Sequence, residues 1–332
     1  MNWIELPVED KLKILTQVST KIKLSGQSIE KDWWVTIVLN ALFSSPFAAH
    51  LSFKGGTSLS KCWNLIERFS EDVDIAIDRE FLGFGGELSK TQISDKLRRA
   101  SCSFVRNTLK KELEKQLLIL GIDKSLFTLV INLTSVTTTD PETIEVHYQS
   151  VYSNANYVQN RVLIEVSGRS MTEPIEEVKI RSIIAKNLPQ ANYADKQFSV
   201  RVVSPKRTFL EKACLLHEEF AKENTDIRTD RMTRHIYDLE KLMDTEFAKD
   251  ALNDRVLYHA VIEHRKKFIA LANMNYETLK PQTISFVPPQ TVIENWRDDY
   301  KIMQETMIYG DPLPFDKLII RIKELNERFR NI

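Results

Sequence analysis

Glycine is scarce in this sequence and is concentrated in one short region. Only nine of the 332 residues are glycine, under half the average usage of about 7%. Five of them lie within 32 residues of one another, at Gly55, Gly56, Gly83, Gly85 and Gly86. A chain that avoids glycine elsewhere predicts that the backbone here needs a close approach or unusual torsions.

Cysteine is also rare, and long apolar runs are absent. Cys62, Cys102 and Cys214 are too few and too scattered for a disulfide framework or a paired-cysteine zinc site, which predicts a reducing compartment and a cytoplasmic location. The sequence contains no run of 18 apolar residues, so it does not predict a membrane-spanning helix. The opening stretch, MNWIELPVEDKLK, is amphipathic and acidic, unlike a signal peptide.

The chain has no net charge. Its 46 basic residues balance 46 acidic ones, which argues against a protein that coats nucleic acid through bulk charge. A local basic patch stays possible on the predicted helix 96–120, where Arg99, Arg106 and Lys110 share one stripe. This stripe is either a grip on an RNA backbone or a solvated helix face.

Hydrophobic periodicity predicts a two-domain fold of the α/β (α+β) class. Residues 1–203 form a mixed-sheet domain with N-terminal helices, and residues 204–332 form a helical domain. Predicted strands cover 51–54, 73–77, 126–133, 143–148, 161–166, 175–180 and 200–203. Predicted helices cover 8–24, 29–43, 57–67, 96–120, 206–222, 229–244, 251–271, 291–307 and 314–330.

Two local details accompany these elements. Ser28 and Thr57 are expected to cap the helices that follow them. Trp33 and Trp34 are adjacent in the second helix, so we expect only one of them to face inward. The other would lie at the domain junction or stack on a base.

The stretch Phe53-Lys54-Gly55-Gly56-Thr57-Ser58-Leu59 predicts a strand, a Gly-Gly turn and a helix. Backbone N–H groups at such a turn can approach a phosphate, and the helix dipole favours the negative charge. The hydroxyls of Thr57 and Ser58 add possible donors. Gly55, Gly56, Thr57 and Ser58 are therefore candidate phosphate ligands.

The next strand carries two carboxylates. Asp72 and Asp74 are two residues apart, so alternation places them on one face of the strand. Adjacent carboxylates repel, and Mg²⁺ prefers one or two carboxylates together with substrate phosphates. Alone, such a pair is commonly a solvated strand edge; following a Gly-Gly turn, it indicates a nucleotide and metal site.

This pattern resembles the nucleotidyltransferase superfamily, and more closely the AbiEii-type nucleotidyltransferase toxins of type IV toxin–antitoxin systems. The similarity extends in family order over about 30–240. It is carried by Glu30-Lys-Asp-Trp-Trp-Val-Thr36, Phe53–Leu59, Arg68-Phe-Ser-Glu-Asp-Val-Asp-Ile75, Val162–Val166, Pro205–Ala213 with Leu216-His-Glu218, and Arg234–Leu239.

The resemblance implies Mg²⁺-dependent transfer of a nucleotide from an NTP to an acceptor, which in some members is the 3′ end of a tRNA. An antitoxin protein is the implied partner. Asp72 and Asp74 would hold the metal, and the Gly55–Ser58 turn would cradle the triphosphate. Lys54 replaces the apolar residue of the broad superfamily motif and is a further candidate phosphate ligand.

A third carboxylate, Glu165, lies in a predicted apolar strand, where it is costly unless paired or metal-bound. Superfamily members use such a residue as metal ligand or base. The alternative is an ion pair of Glu165 with Arg161 or Arg169 at a sheet edge. Glu145 on the preceding strand is a weaker candidate for the same role.

The helical domain supplies three further candidates. Lys212 lies in the first turns of its first helix, and in the family a lysine here contacts the nucleotide phosphates, a role that suits a flexible point charge. The resemblance also implies that Asp238 faces the nucleotide cleft with support from Arg234. A solvated lysine and an exposed ion pair are the alternatives. Either Asp238 or Glu165 would act as the base.

Other functions remain open on the sequence alone. The acceptor of the nucleotide could be a protein or a small molecule instead of RNA. A non-catalytic nucleotide- or partner-binding module with the same fold is the alternative from a different class.

Overall fold

A computed structural model describes residues 3–132, 142–152 and 159–332. The chain divides into two compact units, of which the first comprises residues 1–62 and 69–203. The second comprises residues 63–68 and 204–332. Residues 63–68, which lie between the Gly-Gly turn and the Asp72–Asp74 strand, thus belong with the C-terminal part of the chain.

The first unit is built on a seven-stranded mixed sheet with the strand order β3-β4-β5-β2-β1-β7-β6. Its strands are β1 Leu51–Lys54, β2 Val73–Ile77, β3 Phe127–Asn132, β4 Glu142–Tyr148, β5 Arg161–Ser167, β6 Ile175–Ile180 and β7 Phe198–Val203. The predicted strands are confirmed to within two residues at each end; Leu133, the predicted end of the third, lies outside the described residues. β5 runs parallel to β2 and antiparallel to β4, so it is an interior strand.

One face of the strands around β2 forms the core. Val73, Ile75, Ile164 and Ile144 are completely buried, and strand alternation sends the intervening residues to the other face. Burial alternates strictly along β5, which places Glu165 on the opposite face from these apolar residues.

Helices complete the first unit. They are α1 Val8–Ile22, α2 Gly26–Phe43, α3 Gly55–Lys61, α4 Arg98–Phe104, α5 Lys110–Ile119 and the short α6 Ile183–Asn187. Two π-helical stretches, Gln92–Leu97 and Val105–Leu109, adjoin α4 on either side. Together with α4 and α5 they form the helical stretch that the sequence predicts over 96–120, and this stretch begins earlier than predicted.

α2 differs from its prediction in two respects. It begins at Gly26, because Ser25, not Ser28, is the N-cap and accepts a hydrogen bond from the Ser28 N–H. Trp33 and Trp34 are both fully buried, so the expectation that only one faces inward is wrong. The helix is apolar nearly all round, as expected of a helix enclosed in a core. Trp34 stacks on Tyr148 with 4.9 Å between ring centroids and is thus not available to a base.

The second unit is helical. Its helices are α7 Pro205–Phe220, α8 Thr233–Leu242, α9 Glu246–Asn253, α10 Arg255–His264, α11 Ile293–Thr306 and α12 Phe315–Arg330. Pro205 occupies the first turn of α7, where its missing N–H has no helical partner to lose. The span predicted as one helix at 251–271 is divided, because Asp254 both ends α9 and caps α10. Within the described residues, no helix has the length and apolar character needed to span a membrane.

Candidate active site

The Gly-Gly turn brings the end of β1 against an aspartate of β2. Lys54 and Asp74 are directly opposite in the β1–β2 register. Gly55 follows with φ +78°, and a Cβ there would overlap Asp74 Oδ2 and lie 2.9 Å from Asp74 Cγ. Two features require glycine at position 55. Its backbone is in the left-handed region, and the Asp74 carboxylate occupies the space that a side chain would need.

α3 begins at Gly55 itself and ends at Lys61, six residues earlier than predicted. Thr57 therefore does not cap the helix. Its hydroxyl donates to Ser70 Oγ at 2.9 Å, and the Ser58 hydroxyl donates to the Gly55 carbonyl at 2.8 Å. Both side chains are buried; the Ser58 hydroxyl closes the turn, and the Thr57 hydroxyl ties it to the segment before β2. Gly56, the second residue of α3, is half-buried. Its backbone N–H lies in the first turn of the helix, where N–H groups have no acceptor within the helix.

Three carboxylates gather beside this turn. Asp74 lies directly opposite Glu165 in the parallel β2–β5 register, and all three of Asp72, Asp74 and Glu165 are half-buried. Burial, followed by the charges of Asp74 and Asp72, raises the pKa of Glu165 to about 7, while Lys54 opposes the shift. The two aspartates are therefore electrostatic neighbours of Glu165.

Arg161, one of the two arginines offered as alternative partners of Glu165, pairs with Glu145. Arg161 donates to Glu145, which also accepts from Asn132 Nδ2 at 2.7 Å. Glu145 lies opposite Leu163 in the register and so is two residue pairs away from the Thr143–Glu165 pair. Of the two candidates, only Glu165 is paired with Asp74.

The donor set suits a hard divalent cation. Half-buried carboxylates that repel one another are relieved by such an ion. Within 3–132, 142–152 and 159–332, no three His, Cys, Asp or Glu side chains are already placed to hold a metal. An ion bound here would therefore draw its remaining ligands from substrate oxygens and water, as Mg²⁺ commonly does.

Three successive charges on α2 support this site, and motif reasoning gave them no role; Glu30 and Lys31 are buried and Asp32 is half-buried. Lys31 Nζ donates to Glu71 Oε2 at 2.7 Å, which fixes the residue just before Asp72. Asp32 accepts from Lys61 Nζ at 2.5 Å, at the end of α3. Glu30 accepts from the Val151 N–H. Charges in the interior of an otherwise apolar helix are the sequence signal that could have found them.

In the second unit, Asp238 is the centre of a buried ion-pair network. Arg68 Nε and Nη2 each donate to its carboxylate at 2.7 Å, and Lys212 Nζ lies 2.9 Å from Asp238 Oδ2. Asp238 is fully buried. Burial favours the neutral form, but the charges of Arg68 and Lys212 outweigh it and hold the pKa of Asp238 below its usual range. The exposed ion pair considered as an alternative is thereby replaced by a buried one.

Lys212 is surrounded by other cations. Burial is the main cause of its lowered pKa, and the charges of Arg68 and Arg234 act in the same direction. Lys212 Nζ is also 3.4 Å from His235 Nδ1, and burial together with the Lys212 charge lowers the pKa of His235 well below its ordinary value. An anion is favoured where several cations converge in this way. Arg231 shares no face with these residues, because it precedes α8 with φ +56°.

The basic stripe of the helical stretch before β3 is engaged in ion pairs at two of its three named positions. Arg106 donates to both oxygens of the buried Glu142, at 2.6 and 3.0 Å. Arg99 pairs with Asp95 one turn earlier at 2.7 Å. These contacts favour the interpretation of the stripe as a solvated helix face over a grip on an RNA backbone.

Comparison with known proteins identifies relatives of this fold. The family model described as "Nucleotidyl transferase AbiEii toxin, Type IV TA system" matches residues 37–322. MenT4, a nucleotidyltransferase toxin from Mycobacterium tuberculosis H37Rv, superposes with a TM-score of 0.57 at 13% identity, over 97% of this chain and 90% of that one. JHP933 from Helicobacter pylori gives a TM-score of 0.44 at 13% identity, over 93% and 94% of the two chains. No curated protein matches the sequence.

Proposed function

The chain belongs to the AbiEii family of nucleotidyltransferase toxins of type IV toxin–antitoxin systems, and on that premise we propose that it transfers a nucleotide from a Mg²⁺-bound NTP to the 3′ end of a tRNA. Family membership implies an NTP substrate, a divalent metal and an antitoxin partner. The observation that carries the proposal is the union of Gly55, Asp74 and Glu165 at the β1–β2–β5 junction.

The proposed site has a metal side and a phosphate side. Asp72 and Asp74 would hold Mg²⁺, which when bound supplies positive charge to the α-phosphate and the acceptor hydroxyl. The N–H groups of Gly55 and Gly56 would bind the triphosphate, and Lys54 would add a charge. Thr57 and Ser58 would act by fixing the turn, because the Ser58 hydroxyl donates to the Gly55 carbonyl and the Thr57 hydroxyl donates to Ser70, just before β2.

The transfer is a single displacement at phosphorus. The acceptor oxygen forms a bond to the α-phosphorus, the bond from that phosphorus to its β-bridging oxygen breaks, and pyrophosphate leaves. The hydroxyl proton passes to a carboxylate. Glu165 is a better candidate than Asp238 for the base that accepts this proton. Glu165 lies beside Asp74, whereas Asp238 is fully buried between Arg68 and Lys212.

For the second unit, we propose that Lys212 and Arg234 contact the nucleotide phosphates and that Asp238 positions Lys212. Lys212→Gln should weaken NTP binding about tenfold or more, the loss typical of a hydrogen bond to a charged group. Calorimetric titration with each NTP measures this. Lys206→Ala is the matched control, because Lys206 is on the same helix but pairs with Asp250 at 2.8 Å.

The decisive experiment is transfer of labelled nucleotide. The purified protein is incubated with each α-labelled NTP, Mg²⁺ and either deacylated tRNA, total protein or a metabolite extract. Label in tRNA, lost on adding EDTA, supports the proposal. Label in protein or a metabolite would replace the acceptor, and binding of NTP without turnover would identify a non-catalytic module. Growth arrest on expression, relieved by a neighbouring antitoxin gene, tests the toxin activity in cells.

A further inference from the structure

A row of polar side chains crosses five strands of the first unit in strict register. Lys54 on β1 is opposite Asp74, Asp74 is opposite Glu165, Glu165 is opposite Thr143 on β4, and Thr143 is opposite Asn132 on β3. With strands about 4.8 Å apart, Asn132 lies roughly 14 Å from Asp74. The row therefore continues well beyond the carboxylates.

The sheet face that carries the outer part of this row is open in the part of the chain that the structure describes. On β3, Thr128, Val130 and Asn132 are exposed, as is His147 on β4, and alternation puts them on the face of Glu165. Their neighbours on the other face, such as Ile144, Val146 and Leu129, are buried. The outer strands thus present a polar platform, which we define as the described face around Thr143, Asn132 and His147.

This platform is held rigid by Glu145. Its carboxylate accepts hydrogen bonds from Asn132 Nδ2 at 2.7 Å and from Arg161, and lies 2.6 Å from His147 Nε2. These four residues come from β3, β4 and β5. A single acid that links three strands orients the amide of Asn132 and the guanidinium of Arg161 before any ligand arrives.

The in-line geometry of phosphoryl transfer assigns a use to the platform. Attacking and leaving oxygens lie on opposite sides of the α-phosphorus. In the proposed function, the leaving pyrophosphate lies at the Gly55–Gly56 turn, on the β1 side of Asp74. The acceptor hydroxyl must then approach from the other side, where the register places Glu165, followed by Thr143 and Asn132.

We propose that this platform binds the 3′-terminal nucleotides of the RNA acceptor. The proposal rests on the proposed function and adds the location of the acceptor. Thr143 and Asn132 offer neutral hydrogen-bonding groups for ribose hydroxyls and base edges, which repel no phosphate. Arg161 adds positive charge beside the platform, although it already pairs with Glu145 and donates from Nε to Gln159 Oε1 at 2.6 Å. Arg99 and Arg106 are likewise paired, with Asp95 and Glu142, so the platform is preferred to the basic helix for its place in the register beside Glu165.

Two variants and a control test the platform. Asn132→Ala and Thr143→Val should each lower kcat/KM for deacylated tRNA about fivefold, the loss expected for one neutral hydrogen bond. The Kd for NTP, measured by calorimetry, should not change. Lys179→Ala is the control, because Lys179 is exposed on β6 at the opposite edge of the sheet; it should leave both quantities unchanged.

Photo-crosslinking gives a readout independent of turnover. A benzophenone amino acid at position 132 should capture the 3′ end of deacylated tRNA, whereas the same group at position 179 should not. Equal capture at the two positions, or wild-type kinetics for both platform variants, would overturn the proposal. If the wild type labels tRNA and Asp74→Asn does not, such a result removes the platform alone. If the wild type labels no RNA, the proposed function and the platform fall together.

Discussion

The carboxylate of Asp74 occupies the space in which a side chain at position 55 would lie. A Cβ on Gly55 would overlap Asp74 Oδ2, and the Gly55 backbone has φ +78°. The Gly-Gly turn and the aspartate strand, separated by 17 residues in the motif, are therefore one steric unit. Any residue other than glycine at position 55 must displace the acid that the proposed mechanism needs most.

Gly55→Ala should abolish nucleotide transfer and lower the free energy of unfolding by about 1–3 kcal/mol. Both effects follow from a strained torsion combined with displacement of Asp74. Urea unfolding and the labelled-NTP assay measure them.

Gly86→Ala separates strain from displacement. Gly86 also has positive φ, at +69°, but a Cβ there would meet nothing within 4 Å. We expect a stability loss from the torsion alone and full transfer activity. If Gly55→Ala retained activity equal to that of Gly86→Ala, the close fit to Asp74 would have no catalytic importance.

Asp74→Asn should eliminate transfer without destabilising the protein. Removing a metal ligand is expected to cost about 100-fold or more in rate. The same change removes a negative charge beside Glu165 and Asp72, so in metal-free buffer the free energy of unfolding should be equal to or higher than that of the wild type. Steady-state transfer and thermal unfolding in EDTA check the two halves.

Asp78→Asn is the matched control for this substitution. Asp78 directly follows β2 but pairs at the surface with His50, 3.7 Å away, so its loss should not affect transfer. A folded Asp74→Asn variant with wild-type activity would remove the central assignment of the site.

The sheet and the Gly-Gly/Asp-x-Asp motif were predictable because their signals are local. Alternation along β2 predicts both of its ends to the residue, and spacing alone places Asp72 and Asp74 near each other. The start of α3 at Gly55 was not predictable, because Thr57 does not cap the helix and instead donates to Ser70. Nor was the burial of both Trp33 and Trp34, which requires partners on several sides of α2.

Long-range ion pairs were the largest omission. Arg68 and Asp238 are 170 positions apart, and no periodicity links them. The same holds for Lys31 with Glu71 and Asp32 with Lys61. Acids and bases within apolar segments indicate that buried pairs exist, but the choice of partner depends on the tertiary fold. Sequence spacing instead suggested Arg231 and Arg234 as companions of Asp238, and Arg231 lies outside α8.

The Arg68–Asp238 pair should be a major stabilising contact of the second unit. Asp238→Asn leaves Arg68 and Lys212 buried without their carboxylate, and we expect a loss of about 3–5 kcal/mol in the free energy of unfolding. Urea denaturation at pH 7 measures it. A double-mutant cycle with Arg68→Met should give a coupling energy of at least about 1 kcal/mol.

The control for this pair is an ion pair at the surface. Glu324 accepts from Arg328 and Arg321 on α12, where all three side chains are partly exposed. Glu324→Gln should change stability far less than Asp238→Asn, because solvent screens such pairs. Equal effects of the two substitutions would contradict a special role for burial at Asp238.

Acid should selectively weaken the contribution of Asp238 to the free energy of unfolding. Burial alone would raise the pKa of this carboxyl, but the charges of Arg68 and Lys212 hold it below its usual value. A lowered pKa means that the folded state binds fewer protons than the unfolded state, whose Asp pKa is about 3.9. The stabilisation is therefore complete above about pH 4 to 5 and is lost as pH falls through the folded pKa.

We expect the stability difference between wild type and Asp238→Asn to be constant from pH 7 to 5 and to shrink below pH 4, as urea unfolding across this range would measure. Lowered pKa values at Glu219 and Asp244 affect both proteins alike and cancel in the difference. A difference that stayed constant to pH 3 would mean that charge on Asp238 contributes nothing to the fold.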